Sequence, residues 1–215
     1  MTTQVFLILD MTSSMQANKQ ATIDACNEFV EGLKADPHTK DFLFSLAVFN
    51  SNIGLERIVD RVELDRAPKL DHEHYQPTGA TPLYDAMWQS MNLLESHQGQ
   101  VLFIVQTDGE ENTSKIATRQ QIVGRVAEKT AAGWQFVYLG CDIDAMQQGG
   151  KLGIPVGNTM SYRRSDTEDA FHSLTASTQA YLAQGSAPSG SFFKEGPAAV
   201  RDRRNENDSG TDNPQ

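Results

Sequence analysis

The feature that most constrains this chain is an alternation of two periods. Apolar runs of strand length, at residues 5–9, 42–49, 101–105 and 134–139, take turns with stretches in which apolar residues recur every three or four positions. A strand that reads as one continuous apolar run is covered on both faces, and such strands belong to parallel sheets flanked by helices. The alternation therefore predicts an α/β fold: a doubly wound, mostly parallel central sheet with helices on both faces. Ile23, Cys26, Val30 and Leu33 keep helical spacing until Asp36-Pro37 closes that segment. Residues 42–49 and 53–64 flank the turn former Asn50-Ser51-Asn52, so they pair as a hairpin and add one antiparallel edge strand. Pro82 suits the first turn of a helix with Leu83, Met87, Met91 and Leu94 on one face, and Ile122 and Val126 mark another that stops at Gly133. A short helix at 142–152, an edge strand at 159–162 and a last helix at 166–181 complete a domain expected to span residues 1–184. Residues 185–215 are rich in Gly, Ser, Pro, Asn and Asp, and 201–215 hold nothing apolar, so a flexible C-terminal tail is expected there.

Composition narrows the partners. A chain of 215 residues suits one domain with a sizeable core. With 18 basic against 28 acidic residues the net charge is −10, which repels phosphate backbones, and no nucleic-acid partner is expected. No apolar run approaches the roughly 20 residues of a bilayer crossing, so no membrane role is expected either. Met1-Thr2-Thr3-Gln4 carries no Lys or Arg, and the apolar run behind it is shorter than that of a signal peptide. Cys26 and Cys141 lie far apart and read as reduced core thiols, which points to a cytoplasmic protein; the sequence does not fix the oligomeric state.

In open α/β sheets ligands bind beyond the carboxyl ends of the strands, so the residues just after each apolar run carry the functional expectation. The first run leads into Asp10-Met11-Thr12-Ser13-Ser14, where an extended loop projects Asp10, Thr12 and Ser14 to one side. Ser13 or Ser14 is also placed to cap the helix that follows. Thr81 ends the long connection at residues 65–81, and Asp108 follows the run at 101–105. Two carboxylates and three hydroxyls, with no nitrogen or sulfur among them, favour Mg²⁺ or Mn²⁺ over zinc. All five are expected on a solvent-facing rim, so that replacing Asp10 should leave the fold intact.

Taken together, Asp10-Met11-Thr12-Ser13-Ser14, Thr81 within Thr78-Gly79-Ala80-Thr81-Pro82 and Asp108 within Thr107-Asp108-Gly109 resemble the von Willebrand factor A (VWA) family. Its metal-ion-dependent adhesion site (MIDAS) has the pattern Asp-x-Ser-x-Ser, then Thr, then Asp. Thr12 stands where the family usually has Ser and offers the same hydroxyl with fewer rotamers. The resemblance covers residues 4–182 and implies a Rossmann-like VWA fold. It further implies that Thr12 and Ser14 touch the metal directly and that Asp10 acts largely through water. Thr81 and Asp108 would exchange direct and water-mediated roles, and a partner protein would supply an acidic residue as the missing ligand. A scaffold or ATPase-associated subunit is one form such a module takes.

Other signals have plainer readings. His72 and His74 read as part of a solvated loop, and Glu110 and Glu111 as an acidic turn that could instead tune the metal. Asp142 and Asp144 fit helix capping, while Phe192 and Phe193 form either a strap on the body or a peptide-docking motif. The alternative function is a metal-dependent phosphohydrolase of a doubly wound α/β fold. Haloacid dehalogenase phosphatases also place an Asp after the first strand, but their second Asp, the general acid, is Thr12 here. Motifs for nucleotide phosphates, dinucleotides or a serine nucleophile are not found, so a protein-binding module rather than an enzyme is expected.

Overall fold

In the computed structural model, which describes residues 2–39, 41–185 and 190–193, the first apolar run lies at the centre of a six-stranded sheet. The strands are β1 (Gln4–Asp10), β2 (Leu43–Asn50), β3 (Gly54–Glu63), β4 (Val101–Thr107), β5 (Gln135–Cys141) and β6 (Thr159–Tyr162). Their order is β3-β2-β1-β4-β5-β6. Every pairing is parallel except β2 with β3, so the hairpin supplies the antiparallel edge that its turn residues predict. Chain order moves outward from β1 through β2 to β3, then returns to β4 on the other side of β1. That reversal makes the gap between the carboxyl ends of β1 and β4 the topological switch point.

Alternation along β1 divides the interior into two layers. Val5, Leu7 and Leu9 face a cluster containing Ile23, Phe29 and Leu33 of α1 (Lys19–Lys34) and Phe171 and Leu174 of α5 (Thr167–Ala183). Phe6 and Ile8 face the opposite cluster, with Met87 and Met91 of α2 (Leu83–Leu93) and Ile122 and Val126 of α3 (Arg119–Ala131). A two-residue period on a strand clothed on both sides is the reason the run could not afford a polar position. Truncating one such side chain, as in Leu7→Ala, would cost about 2–5 kcal/mol. The remaining short helix, α4 (Ala145–Lys151), follows β5, and Asp144 caps it by accepting the Gln147 N–H at 2.9 Å.

The long connection is not a slack loop. Leu70 and Tyr75 within it are buried, and the Tyr75 hydroxyl donates to the Asp10 carbonyl at 2.5 Å. Phe192 and Phe193 lie past the boundary expected at residue 184 and are buried in the same cluster as α1 and α5. Phe192 N–H donates to Asn158 Oδ1 and Phe193 N–H to the Gly157 carbonyl, each at 2.9 Å. Their role is therefore that of a strap. Gly157 has to be glycine for this, because a Cβ there would lie 2.3 Å from the Gly190 carbonyl oxygen. The rest of the expected tail, residues 186–189 and 194–215, lies outside the described residues. Among the described residues, no helix is long and apolar enough to cross a membrane.

Candidate metal centre

The switch point gathers the strand-end oxygens. β1 ends on Asp10, whose carboxylate is buried between its own loop and the end of β4. Asp10 Oδ1 accepts the Thr12 N–H at 2.8 Å, and Oδ2 accepts the Thr107 hydroxyl at 2.5 Å. Burial pushes the Asp10 carboxyl up to about 6, even though these hydrogen bonds pull the other way. From the same loop, the Thr12 and Ser14 hydroxyls hydrogen-bond across 3.0 Å, and Ser14 donates onward to Asp108 Oδ1 at 2.6 Å. Asp108 too is raised, first by burial, while the Ser14 hydrogen bond works against the shift.

Thr81 enters from the long connection, pinned by two bonds to one side chain and its backbone. Its N–H donates to Asn112 Oδ1 at 2.9 Å, and its carbonyl accepts the Asn112 N–H at 3.1 Å. The Thr81 hydroxyl lies so near the residue after Asp108 that a Cβ on Gly109 would be 3.0 Å from it. The fold brings these five strand-end and loop-end residues to one place. Asp10, Thr12, Ser14 and Asp108 are joined by hydrogen bonds, and Thr81 abuts them across Gly109.

Two expectations require correction. Asp10, Thr12 and Thr81 are buried, so the group does not sit on a solvent-facing rim; only Ser14 is exposed. Burial follows from position: Asp10 is still in register with Phe49 of β2, and Tyr75 covers its backbone. Nor does Ser13 or Ser14 cap the helix. The turn at Ser13–Asn18 has Thr12 at its N-cap and α1 has Asn18, neither with a side-chain capping bond, while the Ser14 hydroxyl donates to Asp108 instead.

Two carboxylates that build the centre take roles the sequence reading does not assign: Asp85, which that reading does not single out, and Glu111. The sequence places Glu111 in an acidic turn or as a metal-tuning group. Instead its Oε2 accepts the Tyr84 N–H at the start of α2, and its Oε1 accepts the Thr113 and Ser114 N–H groups at 2.8 and 2.6 Å. Asp85, in the first turn of α2, accepts the Lys115, Ile116 and Ala117 N–H groups at 2.8, 2.8 and 2.9 Å. These carboxylates lace the loop after β4 onto α2, which fixes Asp108 relative to Thr81. An acidic residue facing a long loop from a helix's first turn was the available signal. Glu110, in contrast, is exposed and accepts from Gln148 Nε2 at 2.6 Å. His74 pairs through Nδ1 with Asp71 Oδ1 at 2.7 Å on the surface, which raises the imidazole's affinity for a proton.

Chemically, the centre offers hydroxyl and carboxylate oxygens only, with both carboxylates held in surroundings that penalise their charge. Such a donor set suits a hard divalent cation, whose charge would relieve that penalty.

Sheet order, switch point and strand-end oxygens define an open α/β domain with an oxygen-donor centre at its carboxyl edge. The fold is the von Willebrand factor A fold. The chain is similar to the vWF domain of the type V pili tip protein Mfa5 from Porphyromonas gingivalis, with a TM-score of 0.64 at 10% identity over 84% of this chain and 96% of that one. It is similar to the pilus adhesin SpaC from Lactobacillus rhamnosus GG, with a TM-score of 0.67 at 12% identity over 84% of this chain and 30% of that chain. It is also similar to proximal thread matrix protein 1 from the mussel byssus, in a structure with a zinc-occupied MIDAS motif. There the TM-score is 0.59 at 12% identity, over 85% of this chain and 48% of that one. The chain thus spans under a third of the SpaC adhesin and about half of the byssus protein. No protein-family model matches the sequence, and no curated protein matches it.

Proposed function

We propose that this chain is a divalent-metal-dependent protein-binding module in which Asp10, Thr12, Ser14, Thr81 and Asp108 hold Mg²⁺ or Mn²⁺. A carboxylate from a partner protein completes the coordination shell. The observation that carries this reading is the hydrogen-bonded run from Thr12 Oγ1 through Ser14 Oγ to Asp108 Oδ1, at 3.0 and 2.6 Å, on the switch point of the sheet. The zinc-occupied MIDAS of the byssus protein, on the same fold, supports a divalent ion here.

When bound, the ion supplies an electron-poor centre for an anionic ligand. The residues of the chain then have separate tasks. Thr12 and Ser14 contribute neutral oxygens, which leave most of the positive charge available to the partner. Thr107 and the Thr12 amide orient the Asp10 carboxylate through its two oxygens. Asn112 holds the Thr81 backbone so that its hydroxyl faces the gap beside Asp108. With Thr12 in the place of a second carboxylate, the loop has no general acid for phosphoryl transfer, and the proposal is of a binder or scaffold, not an enzyme. Action in the cytoplasm is part of the proposal, supported by two free, buried thiols, Cys26 and Cys141.

A pull-down on the full chain tests the function. The partner should be retained with Mg²⁺ or Mn²⁺, released by EDTA, and not captured by Thr81→Ala. Capture that is equal in EDTA, or that survives Thr81→Ala, would remove the metal bridge from the account.

A further inference from the structure

One cation already reaches the centre. Arg164 lies in the turn between β6 and α5, and its Nη2 is 3.5 Å from Asp108 Oδ2 and 3.5 Å from Asp142 Oδ2. The Asp108 side chain is 1% exposed, against 38% for Arg164 and 42% for Asp142. The guanidinium therefore bridges an outer, wet carboxylate and an inner, dry one.

Its approach is held by the backbone as well as by charge. The Arg164 N–H donates to Asp142 Oδ1 at 3.0 Å, and the Asp142 N–H donates to the Tyr162 carbonyl at 2.8 Å. Asp142 adopts a left-handed backbone with φ 55°, a conformation uncommon for a residue other than glycine. Among the described residues, Arg164 Nε is buried and has no hydrogen-bond partner.

Both oxygens of Asp108 are thus engaged by the chain itself: Oδ1 by the Ser14 hydroxyl and Oδ2 by Arg164. An incoming cation meets a fixed positive charge next to one of its two carboxylates. We propose that Arg164 is a built-in counter-cation of the centre: it neutralises Asp108 when no ion is bound and competes with the ion for that carboxylate. The inference rests on the metal-binding reading of the preceding subsection. It makes the resting affinity for metal weak. It also sets a preference for acidic ligands, because a carboxylate arriving at the ion brings the negative charge that the displaced guanidinium then lacks.

The test titrates Mn²⁺ into the full-length chain, followed by calorimetry and by the Mn²⁺ paramagnetic signal, for wild type, Arg164→Gln, Arg164→Lys and Asp108→Ala. Removing one positive charge beside a divalent ion should tighten Mn²⁺ binding roughly three- to tenfold in Arg164→Gln at low salt, with the gap narrowing in high salt. Arg164→Lys, which keeps the charge, should stay near wild type. The rise in melting temperature on adding saturating Mn²⁺ should be larger for Arg164→Gln than for wild type, a readout that also shows the variant to be folded. Equal or weaker Mn²⁺ binding by a folded Arg164→Gln, while wild type binds and Asp108→Ala does not, would overturn the counter-cation and leave the metal centre standing. Failure of wild type itself to bind Mn²⁺ in an Asp108-dependent way would overturn both.

Discussion

Two acidic strand ends on the same sheet edge have opposite fates. Asp10, at the end of β1, is fully buried, and both of its carboxylate oxygens accept from the protein. Asp142, just past β5, is 42% exposed, holds a left-handed backbone and reaches outward to Arg164. The residue type and its distance from an apolar strand are nearly the same, so neither explains the difference. Position in the sheet does. β1 is paired on both sides to full-length strands, and the chain leaves the switch point in opposite directions, so Asp10 sits at the base of a crevice. β5 has only the four-residue β6 beside it, and the turn that follows leaves the Asp142 side chain 42% exposed. A strand-end carboxylate becomes a ligand-ready group where the surroundings remove water without supplying a full countercharge.

The largest effect that separates the two regions is electrostatic. Asp10 titrates at about 6 in the fold against an ordinary 3.8, so the metal-free protein binds this proton more tightly when folded. The contribution to stability is therefore fully present below about pH 4, is lost as pH rises through 6, and is flat above that. Across this window the metal-free protein should lose about 3 kcal/mol from Asp10 alone. Asp10→Asn should abolish that loss and be the more stable protein at pH 8. The amide keeps an acceptor for the Thr12 N–H, while Thr107 can turn its hydroxyl to the Gly109 carbonyl 3.2 Å away. Urea melts at pH 5 and pH 8 with EDTA, which span about half of that loss, decide it, and a wild type whose stability is level between these values would show that Asp10 is not the strained group described.

A smaller effect is expected at the other strand end. Asp142→Gly removes exposed contacts to Arg164 but relieves the left-handed backbone, two changes that nearly cancel. Its unfolding free energy should stay within about 1 kcal/mol of wild type. A loss of several kcal/mol would mean that the loop after β5 is as tightly integrated as the loop after β1.

The same contrast marks what could be read from the sequence. Strands covered on both faces declare themselves as continuous apolar runs, and the hairpin by its Asn-Ser-Asn turn, so the sheet with its antiparallel edge is legible. The five candidate oxygens are legible because each follows a strand or ends a connection longer than loops usually run. What is not legible depends on contacts between residues far apart in the chain. Tyr75 reaches back to Asp10 across 65 residues, and Arg164 reaches Asp108 across 56. No local period encodes either. Phe192 and Phe193 show the intermediate case: an aromatic pair in a Gly/Ser-rich stretch stands out, but its place beside Asn158 and Gly157 is a property of the folded chain.

In the proposed function the switch-point oxygens form one divalent-metal site. Calorimetric titration of the full chain with Mg²⁺ or Mn²⁺, for wild type and Asp108→Ala side by side, tests it most directly. One ion per chain is expected in the roughly micromolar to millimolar range for wild type and no binding heat for Asp108→Ala, whose loss leaves the hydroxyls of Thr12 and Ser14 without a charged co-ligand at the β4 end. An Asp108→Ala isotherm that overlays the wild type would contradict it.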